Sequence, residues 1–344
     1  MKYLYVKPVF LWLSAVSVMF LGACTNEIPD TPEATEAISF SVPQTRAAIE
    51  GVNDMSAFSV WGWYDADTTP FAVFDNTTVE KTAGGWNYTD YVRYWSPGKT
   101  YDFYAVHPEN VSNVKVNPQD GTITITDFDS STAGENAVDL MTATNKGVSG
   151  DVAPVVDMKF QHALTRIRFS AKLADGLDGY SLQVSEVALW ASKKGTMTFS
   201  DDKGIQWETE PYLVAGDNEE DIVNGNYDAY LYHFTSEAGE LISTPIKTVS
   251  PVLLNVEDKG DLLVIPQNMS ETRPVLAVQY TLSYGGITTS KMWKLFYLKD
   301  TPTNWTPGDY LNYTFTIGEN NVYFSVKVGD WTDGNSGNEN VDFE

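Results

Sequence analysis

Apolar side chains two residues apart recur along almost the whole chain, and amphipathic helical runs are scarce. Ile38, Phe40 and Val42 form the first set, and Phe58 and Val60 with Trp61 and Trp63 make a strand that is apolar on both faces. Ile123 and Ile125 alternate with threonines, and Val156, Met158 and Phe160 follow. Ile167, Phe169, Ala171 and Leu173 then run in opposite phase to His162, Arg166 and Arg168. Later sets are Val252-Leu254-Val256, Leu276-Val278-Tyr280-Leu282 and Leu311-Tyr313-Phe315-Ile317. A period of two puts each set on one face of an extended strand, whereas a helix needs a period near 3.6. Asp202-Lys203-Gly204 and Gly285-Gly286 fall between such runs and suit tight hairpins. Many short strands at this spacing predict an all-β chain built of antiparallel sandwiches.

One segment occurs twice. Trp95-Ser96-Pro97-Gly98 precedes Tyr101, Phe103 and Ala105, and Trp305-Thr306-Pro307-Gly308 precedes Leu311, Tyr313 and Phe315 at the same offsets. The repeat, in a chain of 344 residues, favours two related β-domains over one large sheet. Ala174-Asp175-Gly176-Leu177-Asp178-Gly179 interrupts two alternating runs, which sets the expected division at residues 37–175 and 176–344.

Residues 1–23 have the parts of a secretory signal: Lys2 and Lys7, an apolar run over 9–21, and small residues at its end. That run is too short to cross a bilayer comfortably, since a crossing takes about 20 residues. Leu21-Gly22-Ala23-Cys24 resembles the lipobox of bacterial lipoproteins, and Cys24 is the only cysteine in the chain. The resemblance implies that Cys24 becomes the acylated N-terminus. Each buried methylene of an acyl chain contributes about 0.8 kcal/mol to anchoring. Residues 24–36 are acidic, polar and contain proline, as a solvated tether would be.

Charge excludes several functions. Lysine and arginine number 22 against 46 acidic residues, for a net charge of −24, which repels nucleic acid and anionic headgroups. One cysteine allows no internal disulfide, and His107, His162 and His233 lie far apart, so no metal or histidine-based catalytic site is expected. No nucleophile elbow, zinc-protease, phosphate-loop or dinucleotide pattern occurs, so neither an enzyme nor a cofactor is expected. The acidic run Asp217-Asn218-Glu219-Glu220-Asp221 reads as solvated rather than as a calcium loop, and Asp330-Trp331-Thr332-Asp333-Gly334-Asn335 lacks the glutamate a calcium loop needs. Trp61, Trp63, Trp86 and Trp207 could stack sugars, but core packing is the expected role.

Several motifs, in order, resemble the fimbrillin (Mfa-like) family, the lipoprotein precursors of type V pili. They are the lipobox at Cys24, Ile38-Ser39-Phe40 ahead of Thr45-Arg46-Ala47, and Tyr94-Trp95-Ser96-Pro97-Gly98 with its following strand. Residues 160–169, Trp305-Thr306-Pro307-Gly308 and the terminal Val326-Lys327-Val328-Gly329-Asp330-Trp331 complete the series. The resemblance implies two transthyretin-like sandwiches and a lipid anchor in the outer membrane. It also implies cutting by an arginine-specific protease, loss of the first strand, and entry of a donor strand from another fimbrillin subunit. Arg46, followed by Ala47, matches the processing position. Arg93, Arg166 and Arg168 lie in or beside expected strands, Arg273 precedes proline, and Arg46 stands in a linker.

Residues 322–328 have a donor-like pattern, with Val322, Phe324, Val326 and Val328 on one face. They equally fit an ordinary closing strand; for Arg46 a solvated loop is the lesser alternative to the processing site. The expected function is a structural subunit of a cell-surface pilus that supports adhesion to an unknown ligand. The alternative is a carbohydrate-binding surface lipoprotein of a glycan-uptake system.

Overall fold

The computed structural model describes residues 36–43, 55–65, 69–210, 227–257, 259, 261–301, 303–331 and 339–343. Cys24, Arg46, Ala47 and the acidic run at 217–221 lie outside them. Strands dominate, and among the described residues the α-helix is the single turn Met269–Thr272, capped by the Asn268 side chain, which accepts from the Ser270 amide at 3.0 Å. No helix among the described residues is long and apolar enough to cross a membrane. The chain is all-β, as the two-residue period requires.

The described residues form four sheets. The largest runs, in spatial order, Gln161–His162, Met141–Ser149, Thr100–His107, Ala57–Tyr64, Phe71–Thr82, Gly85–Asn87, Phe40–Ser41 and Val156–Asp157. A four-stranded sheet holds Gly204–Thr209, Lys194–Ser200, Thr122–Asp129 and Val114–Asn117. A six-stranded sheet centres on Thr165–Leu173, Asp309–Ile317 and Val322–Asp330, and a five-stranded one on Ser181–Trp190 and Val275–Tyr284. Most pairs are antiparallel. Among the described strands two pairs are parallel: Thr165–Leu173 with Asp309–Ile317, and Phe40–Ser41 with Val156–Asp157.

The alternation of the sequence sorts side chains among three main cores. Phe58, Val60, Phe103 and Ala105 point into the first, with Phe40, Phe74, Met141 and Val156. Their neighbours Trp61, Tyr104 and Val106 point the other way, against Ile123, Ile125, Met197 and Phe199 of the four-stranded sheet. This explains the two-sided aromatic strand at 57–64: both of its faces are covered. The second core lies between the six- and five-stranded sheets, where Ile167, Phe169 and Phe315 meet Val187, Leu189 and Val278.

Pairing crosses the division expected at 175/176. Thr122–Asp129 is joined to Lys194–Ser200, with Ile123 opposite Phe199, and Ile167, Phe169, Ala171 and Leu173 all bury in the second core. At the joint, the buried His162 ring stacks on Trp331 at 3.7 Å and 8°, and its Nδ1 lies 2.8 Å from Asp139. Asp261 there accepts from Arg168 at 2.6 and 2.7 Å and also from Arg166. Burial pushes the Asp261 carboxyl up, but the hydrogen bonds from Arg168 and the charges of both arginines outweigh it and hold the group below its ordinary range.

The repeated segment has one local geometry in both places. Trp95 and Trp305 are buried, and Gly98 and Gly308 take left-handed φ values of 72° and 78° that complete each turn. The strands that follow bury Tyr101, Phe103 and Ala105 in one case and Leu311, Tyr313 and Phe315 in the other.

Candidate functional site

The segment at 36–42 is a short strand seated in a slot between two others. On one side the Ile38 amide donates to the Arg93 carbonyl at 2.8 Å, and the Trp95 amide donates to the Glu36 carbonyl at 3.0 Å. Ala37 bridges Tyr94, and Phe40 pairs with Trp86. On the other side the Val156 amide donates to the Ser39 carbonyl and the Met158 amide to the Ser41 carbonyl, each at 2.8 Å. The Ser41 hydroxyl adds a bond to the Asp157 carboxylate. Val156–Asp157 has no other strand partner among the described residues. Its place in the sheet therefore depends on this segment.

Two side chains fix the segment in depth. Ile38 is 2% exposed and Phe40 is 4% exposed, while Val42 is half-buried at the edge of the same core. The Phe40 ring meets Phe74 at 5.2 Å, Phe103 at 5.8 Å, and Phe58 and Tyr88 at 6.2 Å, each edge to face. Behind these rings the chain must be glycine: a Cβ on Gly62 would stand 2.8 Å from Phe103 and 3.2 Å from Phe74. Full burial of Ile38 and Phe40 contributes about 1.5–3 kcal/mol each.

Tyr88 and Arg93 shape the slot, and neither was expected from sequence to do so. The Tyr88 hydroxyl donates to the Ile38 carbonyl at 2.9 Å and accepts from the Arg93 amide at 3.2 Å. Burial raises the Tyr88 pKa. The Arg93 guanidinium donates to Asp90 at 2.6 and 2.7 Å and lies 4.3 Å over Phe74 and 4.0 Å over Tyr91. Those bonds hold the Asp90 carboxyl below its ordinary range. A tyrosine and an arginine five residues apart beside a strand carry no periodic signal. The alternation at Val156, Met158 and Phe160 was legible, but its parallel pairing with the first strand was not.

The described arginines are poor protease substrates. Arg93 and Arg166 are buried, Arg168 is tied to Asp261, and Arg273 closes the helical turn at φ 50° ahead of Pro274. Val322, Phe324 and Val326 are buried and Val328 is half-buried. They belong to Val322–Asp330, an interior strand in register with Asp309–Ile317 along its length and with Glu339–Phe343 on its other edge. The four tryptophans considered as sugar platforms, Trp61, Trp63, Trp86 and Trp207, pack instead. Trp61 is buried, Trp63 and Trp207 pack against the same core, and Trp86 packs on Phe58. Among the described residues no cluster of histidine and acidic groups could hold a metal ion.

The fold resembles that of a fimbrial protein from Bacteroides vulgatus, with a TM-score of 0.59 at 16% identity, covering 86% of this chain and 99% of that one. A candidate cell adhesion protein from Bacteroides uniformis is similar at 15% identity, with 86% and 99% coverage and a TM-score of 0.47. A fimbrial assembly protein from Parabacteroides distasonis shares 10% identity, with 88% and 98% coverage and a TM-score of 0.40. No curated protein sequence matches the chain. The profile of a family described as fimbrillin-like matches residues 45–331, which take in strands from all four sheets, and the chain belongs to that family.

Proposed function

We propose that this protein is a pilus subunit, carried to the cell surface as a lipoprotein through Cys24 and activated by an arginine-specific protease that cuts between Arg46 and Ala47. Subunits of this family then join by strand exchange, and the polymer supports adhesion. The role is structural rather than enzymatic. The partners are other fimbrillin subunits, the protease, and the outer membrane through the lipid.

The observation that carries this reading is the seating of residues 36–42. A two-sided slot filled by a short strand is a site that a strand from elsewhere can refill. Removing the segment leaves backbone groups of residues 93–95 and 156–158 without partners and opens the space under Phe40. Unpaired strand edges recruit strands or aggregate. An incoming strand would be held by main-chain bonds and placed in register by alternate side chains.

Val322, Phe324, Val326 and Val328 have the alternation such a donor needs. Donation by them costs the ladders with both neighbours, whereas Glu339–Phe343 has one strand partner among the described residues. While the first strand remains tethered, it competes at an effective concentration in the millimolar range, so exchange should wait for the cut.

Arg46→Ala provides the test. Wild type treated with an arginine-specific protease should shorten once and form ladders on unboiled gels. The variant should fold, keep residues 36–42 and stay monomeric. Ladders of equal intensity from both would show that assembly does not need this cut.

A further inference from the structure

A concavity of about 470 Å³ opens at the end of the second core farthest from the His162–Trp331 joint, lined by Gly179, Tyr180, Lys247, Ser283, Tyr284 and Gly285 among others. The strand Thr165–Leu173 starts at the joint and finishes beside this opening, where the Leu173 amide donates to the Thr248 carbonyl. At about 3.3 Å per residue, the strand sets the two ends roughly 25 Å apart. The volume lies within the range of about 300–1,000 Å³ usual for small-ligand sites.

Three features give the opening a chemistry. First, Tyr284 presents an aromatic face to solvent. It is 56% exposed, yet it is held in place by stacking on Tyr180 at 4.5 Å and 22°, and the Tyr180 hydroxyl bonds to the Glu319 carboxylate. Second, the backbone is bare: a Cβ on Gly179 would stand 3.2 Å from the Tyr284 ring, and the space around Gly285 and Gly286 is open. The last two residues also take φ of 58° and 85° in the hairpin turn, a conformation that favours glycine. Third, Lys247 is exposed and has no charged or hydrogen-bonding partner among the described residues, in a chain of net charge −24.

We propose that this opening binds an acidic saccharide, with one pyranose face laid on Tyr284 and the carboxylate at Lys247. A pyranose presents a row of C–H groups on one face and hydroxyls around its rim. The C–H face complements the negative π-face of tyrosine. The rim finds the open backbone at the glycines. Lys247 supplies the counter-charge for a uronic or sialic acid. A peptide anchor would want a deeper and more enclosed apolar pocket than this one. The site is independent of strand exchange and would give the subunit an adhesion ligand.

Saturation-transfer NMR and titration of the full-length protein with glucuronic acid, N-acetylneuraminic acid and glucose test this. At least one acidic sugar should bind, and glucose should bind more weakly. Tyr284→Ala should weaken binding roughly tenfold, and Tyr284→Trp should preserve it. Lys247→Ala should bring the acidic sugar down to the level of glucose. Lys247 is exposed and Tyr284 loses only its stack on Tyr180, so each variant should fold, with an unfolding temperature within a few degrees of wild type. Polymerisation after protease treatment should be unchanged, which separates this result from the assembly reading. Failure of all three sugars to bind, binding indifferent to Tyr284→Ala, or equal binding of glucose and the acids would overturn the proposal.

Discussion

Replacing Phe40 with alanine should destabilise the full-length precursor by about 3–5 kcal/mol. The side chain is 4% exposed, so removing the ring forfeits about 2–3 kcal/mol of burial. The remainder comes from the space left behind. The four rings around Phe40 belong to Ala57–Tyr64, Phe71–Thr82, Thr100–His107 and the loop at Tyr88. Four separate segments cannot all move inward, so the cavity stays largely open and adds about 1–2 kcal/mol. Ser39→Ala is the control: its side chain points away from the core and its carbonyl bond to Val156 survives, so the change should stay within about 0.5 kcal/mol. Urea unfolding followed by tryptophan fluorescence reads the effect, because Trp95 is buried in the same core, 5.9 Å from Phe103. For slopes of about 2–3 kcal/mol per molar urea, the midpoint should fall by roughly 1–2.5 M. A loss below about 1 kcal/mol, or one equal to that of Ser39→Ala, would mean that residues 36–42 are not part of the core in solution, and the slot would lose its meaning.

Cys24→Ser should abolish acylation, since the chain has no second cysteine; undiminished fatty-acid label in the variant would rule out a lipid anchor at this position. Asp261→Asn should destabilise the protein at pH 7 by about 3–5 kcal/mol, because it leaves Arg166 and Arg168 without their shared carboxylate. The Asp261 pKa is depressed in the folded state, so its stabilisation is present above the unfolded value of about 3.9 and is lost as pH falls through the lower folded value. The gap between wild type and variant, measured by denaturation at stepped pH, should therefore be constant near neutrality and close below about pH 4. A gap that instead widened in acid would contradict the ion-pair account.

The all-β class and the seeds of each core could be read directly from the sequence, because strand periodicity is a local property. Ile38, Phe40, Ile167, Phe169, Tyr313 and Phe315 alternate in the sequence and are buried in the structure. The turns at Gly98 and Gly308 were equally legible, since Trp-x-Pro-Gly carries its own conformational preferences. Which strand pairs with which is not local. The first strand lies parallel to residues 156–157, more than 100 positions away, and Thr122–Asp129 joins Lys194–Ser200 across the expected division. Backbone hydrogen bonds are the same for every residue type, so nothing in either segment names its partner. Residues 322–328 show the same limit. Their alternation fits a closing strand or a donor equally, and only the packed sheet places them between two neighbours. Tyr180, Lys247 and Tyr284 are scattered over about a hundred positions with no shared period, and they meet only because Ser181–Trp190 pairs with Val275–Tyr284 and Ile246 bridges Leu182.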